Sequence, residues 1–159
     1  MKPGDKVENF TLQNQDGKDV SLTDFKGKPV VLFFYPRADT PGCTIESCGF
    51  RDAFKKFQKE GIVVLGISRD TVKDQKKFKD KYDLPYDLLA DPDMLLINRY
   101  DLIKPKNMYG KLVKGVKRTT YLIGPDEGKG QRLIHIFEEV KPEGHAEEVL
   151  ALLKKSSKS

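Results

Sequence analysis

Short, continuously apolar runs alternate along this chain with longer stretches in which apolar residues recur at helical spacing. Val30–Tyr35 (VVLFFY) is β-branched and aromatic throughout, which predicts a strand buried on both faces. Ile62–Ile67 repeats the pattern. Phe10–Leu12 and Asp19–Leu22 flank the turn residues Asn14–Gly17 and predict an N-terminal β-hairpin, and a short strand falls near Asp87–Leu89. Arg118–Ile123 and Arg132–Phe137 are separated by the Gly- and Pro-bearing segment Gly124–Gly130, a second hairpin. Helical patterns run from Pro41 to about Lys59, from Val72 to Lys81, from Pro92 to Tyr100 and from His145 to Lys155. The last has its apolar stripe at Ala146, Val149, Leu150 and Leu153. Lys104–Lys117, broken by Gly110 and Gly115, is expected to be an irregular loop leading into Arg118. A βαβ unit, an antiparallel hairpin and a closing helix predict an α/β fold, a mixed central β-sheet flanked by helices. With no repeat, linker or low-complexity segment, residues 1–159 are expected to form one domain.

The chemistry concentrates where the first buried strand meets the following helix. Pro36 stops the strand, Thr40 suits the N-cap, and Pro41 suits the first helical position, where a missing N–H costs nothing. Cys43 then falls in the first turn, at the position where a capping box would carry a Glu. The thiolate is the nucleophile, and a free cysteine, with pKa ~8.5, is mostly protonated near neutrality. Unpaired N–H groups and the positive end of the helix dipole favour an anion, so a depressed pKa is expected for Cys43. Cys48 lies five residues on. In an intact helix that spacing separates the Cα atoms by ~8.6 Å and turns the side chains ~140° apart, whereas a disulfide needs Cα atoms about 4.4–6.8 Å apart. Local unwinding would let the sulfurs meet. These features predict a redox cycle in which Cys43 is oxidised to a sulfenic acid and Cys48 condenses with it. The plainer alternative is that Cys48 is simply buried and an external thiol resolves Cys43.

Composition narrows the remaining possibilities. Of 159 residues, 38% are hydrophobic and 33% charged, which describes a soluble globule with room for a core. No apolar stretch approaches the ~18 residues of a membrane span, and no apolar signal region follows Met1–Asp5. A cytoplasmic location is expected, and no membrane association. Two cysteines do not make a secretory disulfide framework, so in a reducing compartment the pair is catalytic or metal-binding. Only His135 and His145 could complete a zinc site, and neither has metal-type spacing. His135 instead suits strand packing and His145 a capping role, and no metal or cofactor is expected. The net charge of +5 raises nucleic acid as a partner. However, the lysines of Lys73–Lys81 interleave with Asp74, Asp80 and Asp83 around Phe78 and Tyr82, as on a solvated amphipathic helix, so none is expected. The terminal Lys154–Ser159 is read as a frayed tail.

Pro36, Thr40 and Cys43 match the Pro-x-x-x-Thr-x-x-Cys signature of peroxiredoxins, and Thr40–Cys48 (TPGCTIESC) resembles the peroxiredoxin Q or bacterioferritin comigratory protein subfamily. The resemblance extends to Gly4–Leu12, Ser21–Lys28, Gly66–Ser68, Leu84–Asp91 and Arg118–Ile123. It implies a thioredoxin-like fold and a thiol peroxidase, with Cys43 as peroxidatic and Cys48 as resolving cysteine, joined in an intramolecular disulfide. It further implies that Thr40 hydrogen-bonds the thiolate and peroxide, that Pro36 shields the pocket, and that Arg118, held by Glu46, polarises the peroxide. Arg51 is a second candidate for that charge. Hydroperoxides would be the substrate and thioredoxin or a similar dithiol the reductant, with the chain a monomer or weak homodimer. Two rival classes remain. A thiol–disulfide oxidoreductase without peroxidase activity would normally show Cys-x-x-Cys, and a binding module would leave the cysteines incidental.

Overall fold

Val30–Phe34 forms β3, and every one of its side chains is buried. That burial follows from its position: β3 pairs in parallel with β4 (Val63–Ser68) and antiparallel with β8 (Thr119–Gly124), and helices or packed chain cover both faces. A computed structural model describes residues 2–157. A seven-stranded sheet runs β2-β1-β5-β4-β3-β8-β9, where β1 is Thr11–Asn14, β2 Asp19–Ser21, β5 Asp87–Ala90 and β9 Arg132–Phe137. The helices are α1 (Pro41–Asp52), α2 (Phe54–Lys59), α3 (Val72–Tyr82), α4 (Leu95–Arg99) and α5 (His145–Ser157). Among the described residues no helix is long and apolar enough to cross a membrane.

Strand alternation divides the core in two. Val30, Leu32 and Phe34 join Phe10, Leu22, Leu96, Ile97 and Tyr121 on one face. Val31, Phe33 and Tyr35 join Phe50, Phe57, Phe78, Tyr86, Val149 and Leu150 on the other, and Cys43 belongs to this second cluster. The four stripe positions of α5, Ala146, Val149, Leu150 and Leu153, are all buried.

The mixed sheet, the N-terminal hairpin and the closing helix are as the sequence predicts, and four local features differ. Residues expected as one helix to Lys59 form two, because Ala53 (φ −91°, ψ −1°) interrupts the α-helical dihedrals between α1 and α2. The expected irregular loop is a hairpin, β6 (Ile103–Met108) with β7 (Lys111–Val116), forming its own two-stranded sheet. Tyr109 and Gly110 both have positive φ, 54° and 79°, which suits a tight two-residue connection, so the glycine that reads as a break is the turn itself. Helix α4 starts at Leu95 rather than near Pro92. Met94 is left-handed, and the Asp91 carboxylate accepts the N–H groups of Leu95, Leu96 and Ile97, fixing that start. Finally, α5 runs through Ser157, so most of the segment read as frayed is helical, and the reading for 158–159 lies outside the described residues.

Close packing at the sheet centre depends on Gly66. A Cβ there would lie 2.8 Å from Phe33 Cζ and 2.9 Å from Leu88 Cδ2. Gly66→Ala should therefore overpack the core and destabilise the protein by about 1–3 kcal/mol. A lowered urea midpoint at unchanged slope checks this; an unchanged midpoint would mean that both side chains yield freely.

Candidate active site

The loop between β3 and α1 is held by side chains from neighbouring elements. The Ala38 N–H donates to Asp70 Oδ2 at 2.7 Å, and Ser68 Oγ donates to the same oxygen at 2.6 Å. Asp39, with φ 58°, is fixed by Lys81 Nζ at 2.9 Å and by the Tyr82 hydroxyl at 2.7 Å. β3 ends at Phe34, and Pro36 follows Tyr35 at the start of this loop. Thr40 occupies the N-cap with extended dihedrals and Pro41 follows at the first helical position, as the sequence predicts. The Thr40 hydroxyl, however, donates back to the Arg37 carbonyl at 2.8 Å instead of capping the helix.

Cys43 is fully buried in the first turn of α1. First-turn N–H groups lack helical acceptors, which makes that end of the helix electropositive. A second positive group reaches the sulfur from the entry of β8, the strand paired with β3. Arg118, immediately before β8, points Nη2 to Cys43 Sγ at 3.4 Å and Nη1 to Glu46 Oε1 at 2.9 Å. Its main-chain carbonyl accepts the Val140 N–H at 3.0 Å, tying it to the chain after β9. Burial works against the guanidinium charge, and the negative charge available at Cys43 and Glu46 more than offsets it, raising its pKa.

Glu46 lies one turn after Cys43 and is 1% exposed. One carboxylate oxygen takes Arg118; the other, Oε2, has no partner among the described residues. Burial outweighs the attraction of Arg118 and pushes its pKa up to about 7 from an ordinary 4.5.

Cys48 is half-buried, and neither cysteine is in a disulfide. Burial pushes the Cys48 thiol up, and Arg51 offsets part of that rise. Arg51 donates to the Tyr82 carbonyl at 2.8 Å and pairs with Asp52 at 3.1 Å, so its charge serves Cys48, whereas Arg118 is the cation on Cys43. His145 is buried at the start of α5, its ring bonded to Thr120 Oγ1 at 2.8 Å and Glu148 Oε1 at 3.1 Å. Burial lowers its pKa. His135 packs on Phe137 in β9.

Sequence reasoning did not single out Gly42. A Cβ at this position would stand 2.9 Å from Arg118 Nη2 and 3.4 Å from Pro142 Cγ, so the guanidinium reaches the sulfur across the bare glycine. A glycine in a first helical turn, where alanine would be the better helix former, was the available signal. Asp39 and Asp70 were also missed, since nothing local in the sequence reveals the partners of Asp39 on α3 or that of Asp70 at Ala38.

A buried thiol with a fixed cation and helix N–H groups around it is built to carry negative charge and attack an electrophile. The chain belongs to the AhpC/TSA family, whose model matches residues 3–129, and within it to the Bcp or peroxiredoxin Q group. It is accordingly a thiol-dependent peroxidase with a thioredoxin-like fold. A putatively assigned peroxiredoxin bcp of Coxiella burnetii is 47% identical over 96% of this chain and 99% of its own. Peroxiredoxin Bcp of Bacillus subtilis is 40% identical over 97% and 96%. The crystal structure of a Xylella fastidiosa PrxQ superposes with a TM-score of 0.91 at 36% identity, covering 99% of this chain and 98% of that one.

The raised pKa of Glu46 has a signed consequence. An acid whose folded-state pKa lies above its unfolded value binds a proton on folding, so its contribution to stability is most favourable below about 4.5 and is lost as pH rises through about 7. Glu46→Gln removes the titration. The stability of the wild type relative to Glu46→Gln, read from urea unfolding, should fall by roughly 1–3 kcal/mol across that window. A difference that stays constant with pH would contradict the assignment.

Proposed function

We propose that Cys43 is the residue that reduces hydroperoxides and that Cys48 resolves it. The observation that carries this reading is the Arg118 guanidinium 3.4 Å from the buried Cys43 sulfur at a helix N-terminus. The Cys43 thiolate attacks the terminal peroxide oxygen, the O–O bond breaks, and the leaving oxygen takes a proton and departs as water or alcohol. Cys43 is left as a sulfenic acid. The Cys48 thiol then displaces that hydroxyl as water, forming the Cys43–Cys48 disulfide. An external dithiol of the thioredoxin type reopens it by exchange, becoming oxidised itself.

Arg118 acts in the first step by stabilising the thiolate and the charge that develops on the peroxide oxygens, a role in which preorganised donors are worth the most. Glu46 positions Arg118. The Thr40 hydroxyl, its proton committed to Arg37, keeps lone pairs with which to accept from a protonated peroxide oxygen. Pro36 closes the loop side of the pocket. The substrate class is hydrogen peroxide and organic hydroperoxides; the bacterioferritin comigratory protein of Xanthomonas campestris, 37% identical here, is described by its alkyl peroxide reduction activity. Residues 1–159 act as one cytoplasmic catalytic unit, monomeric or weakly dimeric.

Peroxide consumption coupled to thioredoxin oxidation tests the roles. Cys43→Ser should abolish turnover, because a neutral hydroxyl cannot replace a thiolate. Cys48→Ser should consume one equivalent of peroxide and then stall with thioredoxin. An active Cys43→Ser with a dead Cys48→Ser would reverse the assignment.

A second test moves the cation without removing it. Gly42→Ala pushes Arg118 Nη2 off a 2.9 Å contact, at little cost because the clash is with the end of a flexible side chain. Thermal stability should hold, while the rate with peroxide falls about tenfold or more, as small misplacements at a reacting centre do. Unchanged kinetics would remove Arg118 from the role given to it.

A further inference from the structure

The disulfide step requires residues 44–47 to leave the helix, because sulfurs five residues apart cannot meet across intact turns. Something must therefore set how readily this stretch lets go. One segment, Lys81–Tyr86, holds α1 and its loop at three points. Lys81 Nζ and the Tyr82 hydroxyl hold Asp39, at 2.9 and 2.7 Å. The Tyr86 hydroxyl donates to the Ser47 carbonyl at 2.7 Å, and the Tyr82 carbonyl accepts Arg51 Nη1 at 2.8 Å. The Asp39 contact lies before Cys43 and can persist through the whole cycle. The other two flank Cys48, on the part of the helix that has to move.

Resting on the cysteine roles proposed above, we propose that Tyr86 is a positioning residue for the resolution step: its hydroxyl latches the Ser47 peptide and sets the rate at which Cys48 reaches the Cys43 sulfenic acid. The Ser47 carbonyl lies within α1, so any unwinding between the cysteines rotates the acceptor away from Tyr86. Tyr86 itself cannot follow. Its ring is buried edge-on against Phe33, with centroids 5.7 Å apart, and also contacts Phe54. Its hydrogen bond to the Ser47 carbonyl would be lost in the open state. Ser47 contributes in the opposite sense. Its hydroxyl is buried beside that of Tyr86 but makes no hydrogen bond of good geometry among the described residues, so the closed helix is destabilised at the residue that Tyr86 grips. The latch and the unsatisfied hydroxyl together poise this turn between closed and open.

The consequence is a partition. While the helix stays closed, the Cys43 sulfenic acid can meet a second peroxide, which transfers an oxygen to the sulfur, giving a sulfinic acid and releasing water or alcohol. When the helix opens, Cys48 condenses with the sulfenic acid and water leaves. Tyr86 favours the closed state and Ser47 the open one, so they should bias the branch in opposite directions.

Two variants on the full-length chain separate this from a general effect on folding. Tyr86→Phe keeps the ring and deletes the hydroxyl; Ser47→Ala deletes the unpartnered hydroxyl and retains the main-chain acceptor. Rapid-quench mass spectrometry after mixing with hydrogen peroxide measures sulfenic acid, disulfide and sulfinic acid in each. Sulfenic acid formation should stay within about twofold of wild type in both. Disulfide closure should be about fivefold faster in Tyr86→Phe, the ratio corresponding to one ordinary net hydrogen bond, and slower in Ser47→Ala by a similar factor. Sulfinic acid at a given peroxide concentration should fall in the first and rise in the second. Changes of the same sign in both variants, or closure rates equal to wild type, would overturn the latch while leaving the cysteine roles standing. Absence of any Cys43–Cys48 bridge in the wild type would instead sink the cysteine roles and the latch together.

Discussion

The guanidinium of Arg118 lies between a carboxylate and a sulfur, 2.9 Å from Glu46 Oε1 and 3.4 Å from Cys43 Sγ, in a part of the protein largely shielded from water. Each of these groups would be expensive to bury alone. A lone buried carboxylate takes up a proton, and Glu46 is already pushed in that direction. A lone buried guanidinium cannot neutralise itself and needs a counter-charge. Sharing one cation between a fixed carboxylate and a thiol keeps the cation present whether or not the sulfur is ionised. That matters for a nucleophile whose charge comes and goes during turnover. The cost of the arrangement is visible at Glu46, where the second oxygen is buried without a partner among the described residues.

This contact is delivered by sheet register. β3 and β8 run antiparallel with Phe34 opposite Thr119, so the next residue of each in the direction of the site is Tyr35 on one and Arg118 on the other. The chain leaving β3 turns through Pro36–Thr40 into α1, while the residue entering β8 is the arginine. A slip of one residue would send Arg118 to the other face of the sheet. Burial of all five β3 side chains, alternating between two separate apolar clusters, makes such a slip prohibitive. The core therefore does more than stabilise the fold: it aligns a cation and a nucleophile that lie 75 positions apart in the sequence. Gly42 completes the alignment by leaving the space the guanidinium occupies.

Much of this was legible in the sequence, for reasons that differ by element. β3 and β4 were readable because two-face burial writes an unbroken apolar run, and α5 because its stripe has helical period. Cys43 and the N-terminus of α1 were readable because Thr40 and Pro41 are local signals for local geometry. The β6–β7 hairpin was not: its lysines and Pro105 hide the alternation of a sheet separate from the main one, and Gly110 looks the same in a tight turn as in a loop. The break at Ala53 leaves no composition signal. Arg118 as the cation came from family resemblance, since register across 75 positions is invisible in one sequence, and the fixing of Asp39 by Lys81 and Tyr82 is invisible for the same reason.

The helix carrying the nucleophile faces opposed demands. For the first step it must be intact, because its N-terminal N–H groups and its packing hold the sulfur beside Arg118. For the second it must yield, because its geometry keeps the two sulfurs apart. A uniformly stable α1 would serve the first demand and defeat the second. The structure divides the helix instead. Its beginning is secured by a loop fixed at Asp39 and Ala38, with the Thr40 hydroxyl bonded to Arg37, and those contacts all lie before Cys43. Its end merges through Ala53 into α2, whose Phe57 is buried in the core. Between those fixed ends, the turn that must open carries a buried hydroxyl and a buried carboxylate oxygen that make no hydrogen bond among the described residues, at Ser47 and Glu46. Unsatisfied polar atoms destabilise a closed state and are relieved by contact with water. Placing both in the same turn lowers the free energy of opening at the location where opening is chemically required, while the anchored ends confine the opening to that turn.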